Sequence, residues 1–257
     1  MKIRRLVLLL SLAQIPTLLT ANFTLTILHF NDPESHLLSL DDPATDPDTA
    51  PTANPADLVN YGGAARFVAL VKRERRDAKT DAVLTISAGD DFLAGIVFDA
   101  SNPGLNAANT RHVDYDALTF ANACVDLAVP GNHDFDMGPD RLAHFIEAVH
   151  ADGDPLRAVS CTIDPAAHPS LAKTIVPSTI FDFGDEKVGV IGATTWTLPN
   201  ISSPGSVKMI DADGDGKIDI ADTAILVQRE IDRLTKAGVN KIILVAHLQS
   251  IRNDQAL

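Results

Sequence analysis

Four short clusters in the sequence carry residues able to bind a divalent metal. They are Asn31, Asp32, Glu34 and His36; Asp90 and Asp91; Asn132, His133 and Asp134; and His247. Carboxylate, amide and imidazole together make the donor set of borderline divalent ions such as zinc, manganese or iron. A carboxylate shared between two ions lowers their mutual repulsion, and Asp90 is the natural bridge. Gly89 and Gly131 stand beside these donors and let the backbone turn sharply. A lone Asp after a strand is most often a turn or cap residue. Four such clusters in order are better explained by one shared centre.

A second cation motif is of a different kind. Residues 211–222 read DADGDGKIDIAD. Asp211, Asp213, Asp215, Asp219 and Asp222 fall at loop positions 1, 3, 5, 9 and 12, and Gly216 stands at the sharp turn. The backbone carbonyl of Lys217 would take position 7. This is the pattern of an EF-hand-type calcium loop, with Asp in place of the usual final Glu. No helix precedes it, because the stretch before it holds Pro199 and Pro204. The sequence therefore predicts a solitary structural calcium clip and not a paired sensor.

The elements that must position these residues alternate in type. Strands are predicted at 23–30, 82–87, 127–129, 157–161, 187–194 and 241–247, and helices at 64–78, 116–126, 139–151 and 221–238. Strands alternating with helices imply right-handed crossovers and a layered α/β domain. In such domains chemistry collects in loops beyond the C-terminal ends of strands. All four metal-binding clusters fall there. Residues 41–57 contain Pro43, Pro47, Pro51 and Pro55 among five Asp, and read as an exposed acidic loop.

The 257 residues carry a formal charge of −13, with 46% hydrophobic content. That is ample for a core, and it excludes a disordered chain or a disulfide-dense mini-protein. No basic, aromatic-rich surface is evident, which argues against a nucleic-acid polymer as partner. Residues 1–21 join Lys2, Arg4 and Arg5 to an apolar run, the layout of a secretory signal peptide. Export to the periplasm or the extracellular space follows, and no later segment is long enough to span a membrane. Cys124 and Cys161 read as a pair of ordinary buried thiols.

The order NDPE, GDDF, GNHDFD and a later His resembles the calcineurin-like metallophosphatase superfamily. The phrases LHFND (28–32), GGAARFVALV (62–71), SAGDDFLAG (87–95), DALTFANACVDLAVPGNHDFD (116–136), KVGVIGATT (187–195) and KIILVAHLQ (241–249) narrow it to the 5′-nucleotidase and UDP-sugar hydrolase branch. The resemblance runs from Phe23 to Leu257. It implies a β-sandwich flanked by helices and two divalent transition metal ions. It also implies a small phosphorylated substrate such as a nucleotide, whose identity the sequence does not give. By the same resemblance Asp32 binds the first ion, Asp90 bridges, and Asn132 and His247 bind the second. His133 stabilises or protonates the phosphate transition state, and Asp134 orients His133.

Two departures stand out. The family's first motif is Asp-x-His, whereas here Glu34 follows Asp32 at that spacing and His36 lies further on. Glu34 is the favoured ligand of the two, and its oxygen would turn the site toward manganese, magnesium or iron and away from zinc. The family also closes both metal shells with a Gly-His-x-His stretch, which does not occur before Leu257. The chain is therefore read as a metallophosphatase domain (22–257) incomplete at its C-terminal end. The leading expectation is an exported metal-dependent phosphoesterase. The alternative is a non-catalytic extracellular binding module of the same fold, stabilised by calcium.

Overall fold

The computed structural model describes residues 22–39, 62–101, 113–149, 156–255 and 257. Residues 1–21, expected to be a signal peptide, and residues 41–57, expected to be an acidic loop, lie outside the described residues. The order opens with β1 (Leu25–Phe30), α1 (Ala64–Asp77), β2 (Ala82–Ser87), α2 (Ile96–Ser101), α3 (Tyr115–Ala123) and β3 (Leu127–Ala128). It continues with α4 (Pro139–Ala148), β4 (Arg157–Val159), β5 (Ile163–Asp164), α5 (Leu171–Thr174), β6 (Ile175–Val176) and β7 (Ser178–Phe183). It ends with β8 (Glu186–Thr194), α6 (Leu198–Ile201), β9 (Lys208–Met209), α7 (Ile220–Lys236), β10 (Lys241–His247) and α8 (Ile251–Asp254).

The strands form two stacked sheets. The first is all parallel, in the order β1-β2-β3-β4-β6. The second runs β10-β8-β7, with β10 parallel and β7 antiparallel to β8. β5 and β9 make a small antiparallel pair to one side. Leu84, Ile86, Leu127, Val129 and Val159 of the first sheet and its loops meet Phe181, Val188 and Val190 of the second in one apolar layer. β8 is buried from Val188 to Thr194 because it is the middle strand of its sheet and is covered on both faces.

Helices cover the outer faces. Val71 of α1, Phe120 of α3 and Phe145 of α4 pack in the cluster that includes Ala128 and Ala158 of the first sheet. Leu226, Val227 and Leu234 form the buried stripe of α7 and lie on Ile191 and Ala193 of the second sheet. The result is a helix–sheet–sheet–helix sandwich, the layered α/β architecture expected from the sequence. Among the described residues no helix is long and apolar enough to cross a membrane.

Where β4 meets β8 the two sheets touch through backbone. The N–H of Cys161 donates to the carbonyl of Gly192 at 2.8 Å. A Cβ at Gly192 would meet the Val159 carbonyl oxygen at 2.0 Å, so only glycine allows that approach. One thiol expectation is corrected. Cys161 is buried and free, but Cys124 is exposed, because it adopts the left-handed cap that ends α3 (φ 53°).

Candidate metal centre

β1, β2, β3 and β10 all point their C-terminal ends to the same edge of the sandwich, which gathers the four clusters. Ligand atoms of Asp32, Asp90 and His247 lie within 4.8 Å of one another, and so do those of Glu34, Asp90 and His133. Asp90 belongs to both groups, as a bridging carboxylate must. Asn132 joins through Gln249, whose Nε2 donates to Asn132 Oδ1 and lies 3.2 Å from His247 Nε2. A cleft of about 610 Å³ opens here, lined in part by Asp32, His247 and Gln249. Gln249 was not singled out from the sequence. Its only signal is a place two residues beyond His247, at the end of a strand.

Hydrogen bonds between backbone groups hold the loops together. The N–H of Asp32 donates to Gly89 O at 2.9 Å, and that of Glu34 to Asp90 O at 3.2 Å. Asp32, Glu34, Ser35, Asp90 and Gln249 all sit at positive φ, between 45° and 68°. Side chains other than glycine rarely tolerate that conformation, so the strain is concentrated at this centre. Glu34 brings a carboxylate oxygen within 4.8 Å of ligand atoms of Asp90 and His133, whereas the His36 ring folds back, with Nδ1 3.0 Å from Pro33 O. Behind the β2 loop, Arg141 of α4 is buried 2.8 Å from Asp114, and its guanidinium lies 4.4 Å from the centre of the Phe92 ring. This anchors the segment that follows Asp90.

Each imidazole has a fixed orientation. His247 Nδ1 lies 2.8 Å from Ala88 O and donates to it, leaving Nε2 to face the centre, 3.1 Å from Asp90 Oδ2. Burial disfavours a charged His247, but the hydrogen bond and charge of Asp90 outweigh it and push its pKa up to about 9. Burial likewise opposes charge on His133. There the Asp136 hydrogen bond, followed by the charges of Asp90, Asp136 and Glu34, raises the pKa above the ordinary histidine value.

The expected pairing of His133 with Asp134 is corrected. His133 Nδ1 lies 2.6 Å from Asp136 Oδ2, and Asp136 Oδ1 accepts from Ser202 at 2.8 Å. Residues 133–135 form a 3₁₀ turn, whose three-residue period brings residue 136 back beside 133. Asp134 is instead fully buried and accepts three backbone N–H bonds, from Gly131 (2.8 Å), Asp91 (2.7 Å) and Asp90 (3.1 Å). Burial, followed by the charge of Asp90, lifts its pKa to about 6. Asp91 is also buried and raised, by desolvation first and then by Asp134.

The donor set fits divalent cations. Asp32, Glu34, Asp90, Asp91, Asp134 and Asp136 crowd around two imidazoles, His133 and His247. The centre draws positive charge so strongly that it holds a proton on His247 up to about pH 9. Ions bound between Asp90 and its neighbours would take over that role.

The loop at 211–222 follows β9 in the chain and leads into α7. Asp211, Asp213 and Asp222 bring carboxylate oxygens within 4.8 Å of one another. Asp215 and Asp219 are turned to backbone amides, accepting from Lys217 and Ala221 at 2.8 Å each. Lys217 leaves its ammonium exposed, 3.9 Å from Asp215. Asp219 and Asp222 form a reciprocal capping box on α7.

No family model matches the chain. The chain is similar to the 5′-nucleotidase of Mus musculus, with 30% identity over 233 residues that cover 87% of this chain and 33% of the relative. It superposes on the 5′-nucleotidase precursor of Thermus thermophilus with a TM-score of 0.66 at 30% identity, covering 88% of this chain and 37% of that one. The NAD nucleotidase of Haemophilus influenzae follows at a TM-score of 0.64 and 25% identity, covering 90% and 35%. The chain spans about a third of the length of the curated relatives it matches.

A pH dependence follows from His247. To ligate through Nε2 it must lose the proton that Asp90 stabilises. Manganese affinity should therefore rise about tenfold per pH unit below about pH 9 and level off above it. Calorimetric titrations between roughly pH 6.5 and 8.5 test this expectation. A flat profile would mean that His247 either does not ligate the ion or holds no proton in this range.

Proposed function

Because the chain belongs to the calcineurin-like metallophosphatase superfamily, in its 5′-nucleotidase branch, we propose that it is the metal-binding part of an exported phosphoesterase acting on nucleotides or related phosphate esters. The observation that supports this most is Asp90 lying in two overlapping groups of three ligands. Asp32, Glu34, Asp90, Asn132 and His247 would hold two divalent ions of manganese, iron or zinc. When bound, such ions lower the pKa of water and neutralise phosphate charge in an in-line displacement.

The protein's own groups do the rest. Asp136 holds His133 by Nδ1, so that Nε2 can face the phosphate. Its pKa is raised above the ordinary histidine value, which favours the imidazolium, and in that form His133 can stabilise the transition state or give its proton to the leaving oxygen. Asp134 acts from below by fixing the loops, not by touching His133. In this reading residues 1–21 direct export and residues 22–257 belong to one domain. Calcium at 211–222, held by Asp211, Asp213 and Asp222, with Asp215, Asp219 and the Lys217 carbonyl drawn in, stiffens the entry to α7.

Two measurements test these assignments. The intact protein with manganese should hydrolyse a nucleoside monophosphate, and Asn132→Ala and His133→Ala should each lower kcat by about 100-fold or more. Undiminished turnover in both variants would contradict the site. Calorimetry should show calcium binding that is lost in Asp211→Ala. Equal heats in the two proteins would remove the calcium assignment.

A further inference from the structure

Thr194 ends β8 in the second sheet, yet its hydroxyl reaches the first-sheet loop that carries Asn132. Its Oγ1 donates to the Pro130 carbonyl at 2.7 Å. The N–H of the same peptide group, on Gly131, donates to Asp134 Oδ2 at 2.8 Å. Both polar atoms of the Pro130–Gly131 peptide are thus pinned, one by each partner, immediately before Asn132.

That peptide needs the help. Gly131 has no side chain to restrain it, and Pro130 has no N–H with which to brace the peptide before it. Gly131 must stay glycine, because a Cβ there would meet Asp90 Oδ1 at 2.2 Å and Asp90 N at 2.5 Å. A glycine peptide held by no hydrogen bond would turn easily, and Asn132 would turn with it.

Thr194 is itself held in one orientation. Thr162 Oγ1 donates to Thr194 O at 2.8 Å and accepts from Thr194 N at 2.9 Å. Ser160 Oγ lies 2.9 Å from Thr194 Oγ1 and 3.2 Å from Thr162 Oγ1. Each hydroxyl has a single proton. Thr194 gives its proton to Pro130 and Thr162 gives its proton to Thr194 O, so Ser160 donates its one proton to a single member of the pair, and Thr194 Oγ1 is the nearer acceptor. All three residues are buried, with 0–2% exposure, and their hydroxyls form one directed network.

We propose that the Ser160–Thr162–Thr194 network positions Asn132, so that the second sheet sets the geometry of a ligand carried by the first. The inference rests on the metal-site reading above. Thr194 is a positioning residue, since it acts on Asn132 only through the Pro130–Gly131 peptide.

The test compares manganese binding by calorimetry in the wild type, Thr194→Val and Thr194→Ser. Valine keeps the volume and removes the donor, while serine keeps the donor. The wild type should bind two ions. Thr194→Val should weaken one of them by about 10-fold or more, the range found when partners of metal ligands are removed, and leave the other within about twofold. Thr194→Ser should stay within about twofold for both. Hydrogen exchange at the Gly131 amide should also quicken in Thr194→Val and not in Thr194→Ser. Where the valine variant does not fold, Thr194→Ala removes the same donor. Two ions bound as tightly by Thr194→Val as by the wild type would overturn the inference alone, and so would equal losses in the serine variant. A wild-type chain that takes up no manganese would overturn the metal reading and this inference with it.

Discussion

A buried carboxylate facing backbone amides holds this centre together. Asp134 accepts N–H bonds from Asp90 and Asp91 after one strand and from Gly131 after the next. Those three bonds fix the Asp90 loop and the Asn132 loop in one frame. They also place negative charge beneath Asp90, which burial makes costly. The charge is tolerable only with a cation close by. The His247 imidazolium supplies one such charge, and divalent ions among the same ligands would supply more.

The sandwich makes that frame reachable. In the first sheet β1, β2 and β3 run parallel, so their loops emerge at a common edge. In the second, β10 runs parallel to β8 and ends at His247, whose Nδ1 donates to Ala88 O beyond β2. The sheets meet tightly where Gly192 backs onto Val159, and the hydroxyl network continues that contact toward Pro130. Ligands from both sheets can therefore share one site without a long, mobile loop. The cost appears as left-handed backbone at Asp32, Glu34, Asp90 and Gln249.

Much of this was legible in the sequence, because strand periodicity and metal-ligand chemistry are local. The strand predicted at 82–87 matches residue for residue, and the strand at 241–247 ends on His247 as expected. The helix predicted at 221–238 is α7 (Ile220–Lys236), whereas the capping roles of Asp219 and Asp222 were hidden behind their reading as calcium ligands. What escaped depends on contacts far apart in sequence or on the turn type. β7 (STIFDF) has mixed polarity and is specified by its antiparallel pairing with β8. The partner of His133 was misassigned by two residues, because the sequence does not announce a 3₁₀ turn after Asn132. Gln249 became visible only once Asn132 and His247 stood side by side.

In this arrangement Asp90 would join two cations in one cluster. Electron paramagnetic resonance of the chain loaded with manganese addresses it directly. The expected spectrum is that of two exchange-coupled ions, which collapses to isolated manganese in Asp90→Asn. Two ions that are magnetically independent in the wild type, or coupling that survives Asp90→Asn, would contradict it.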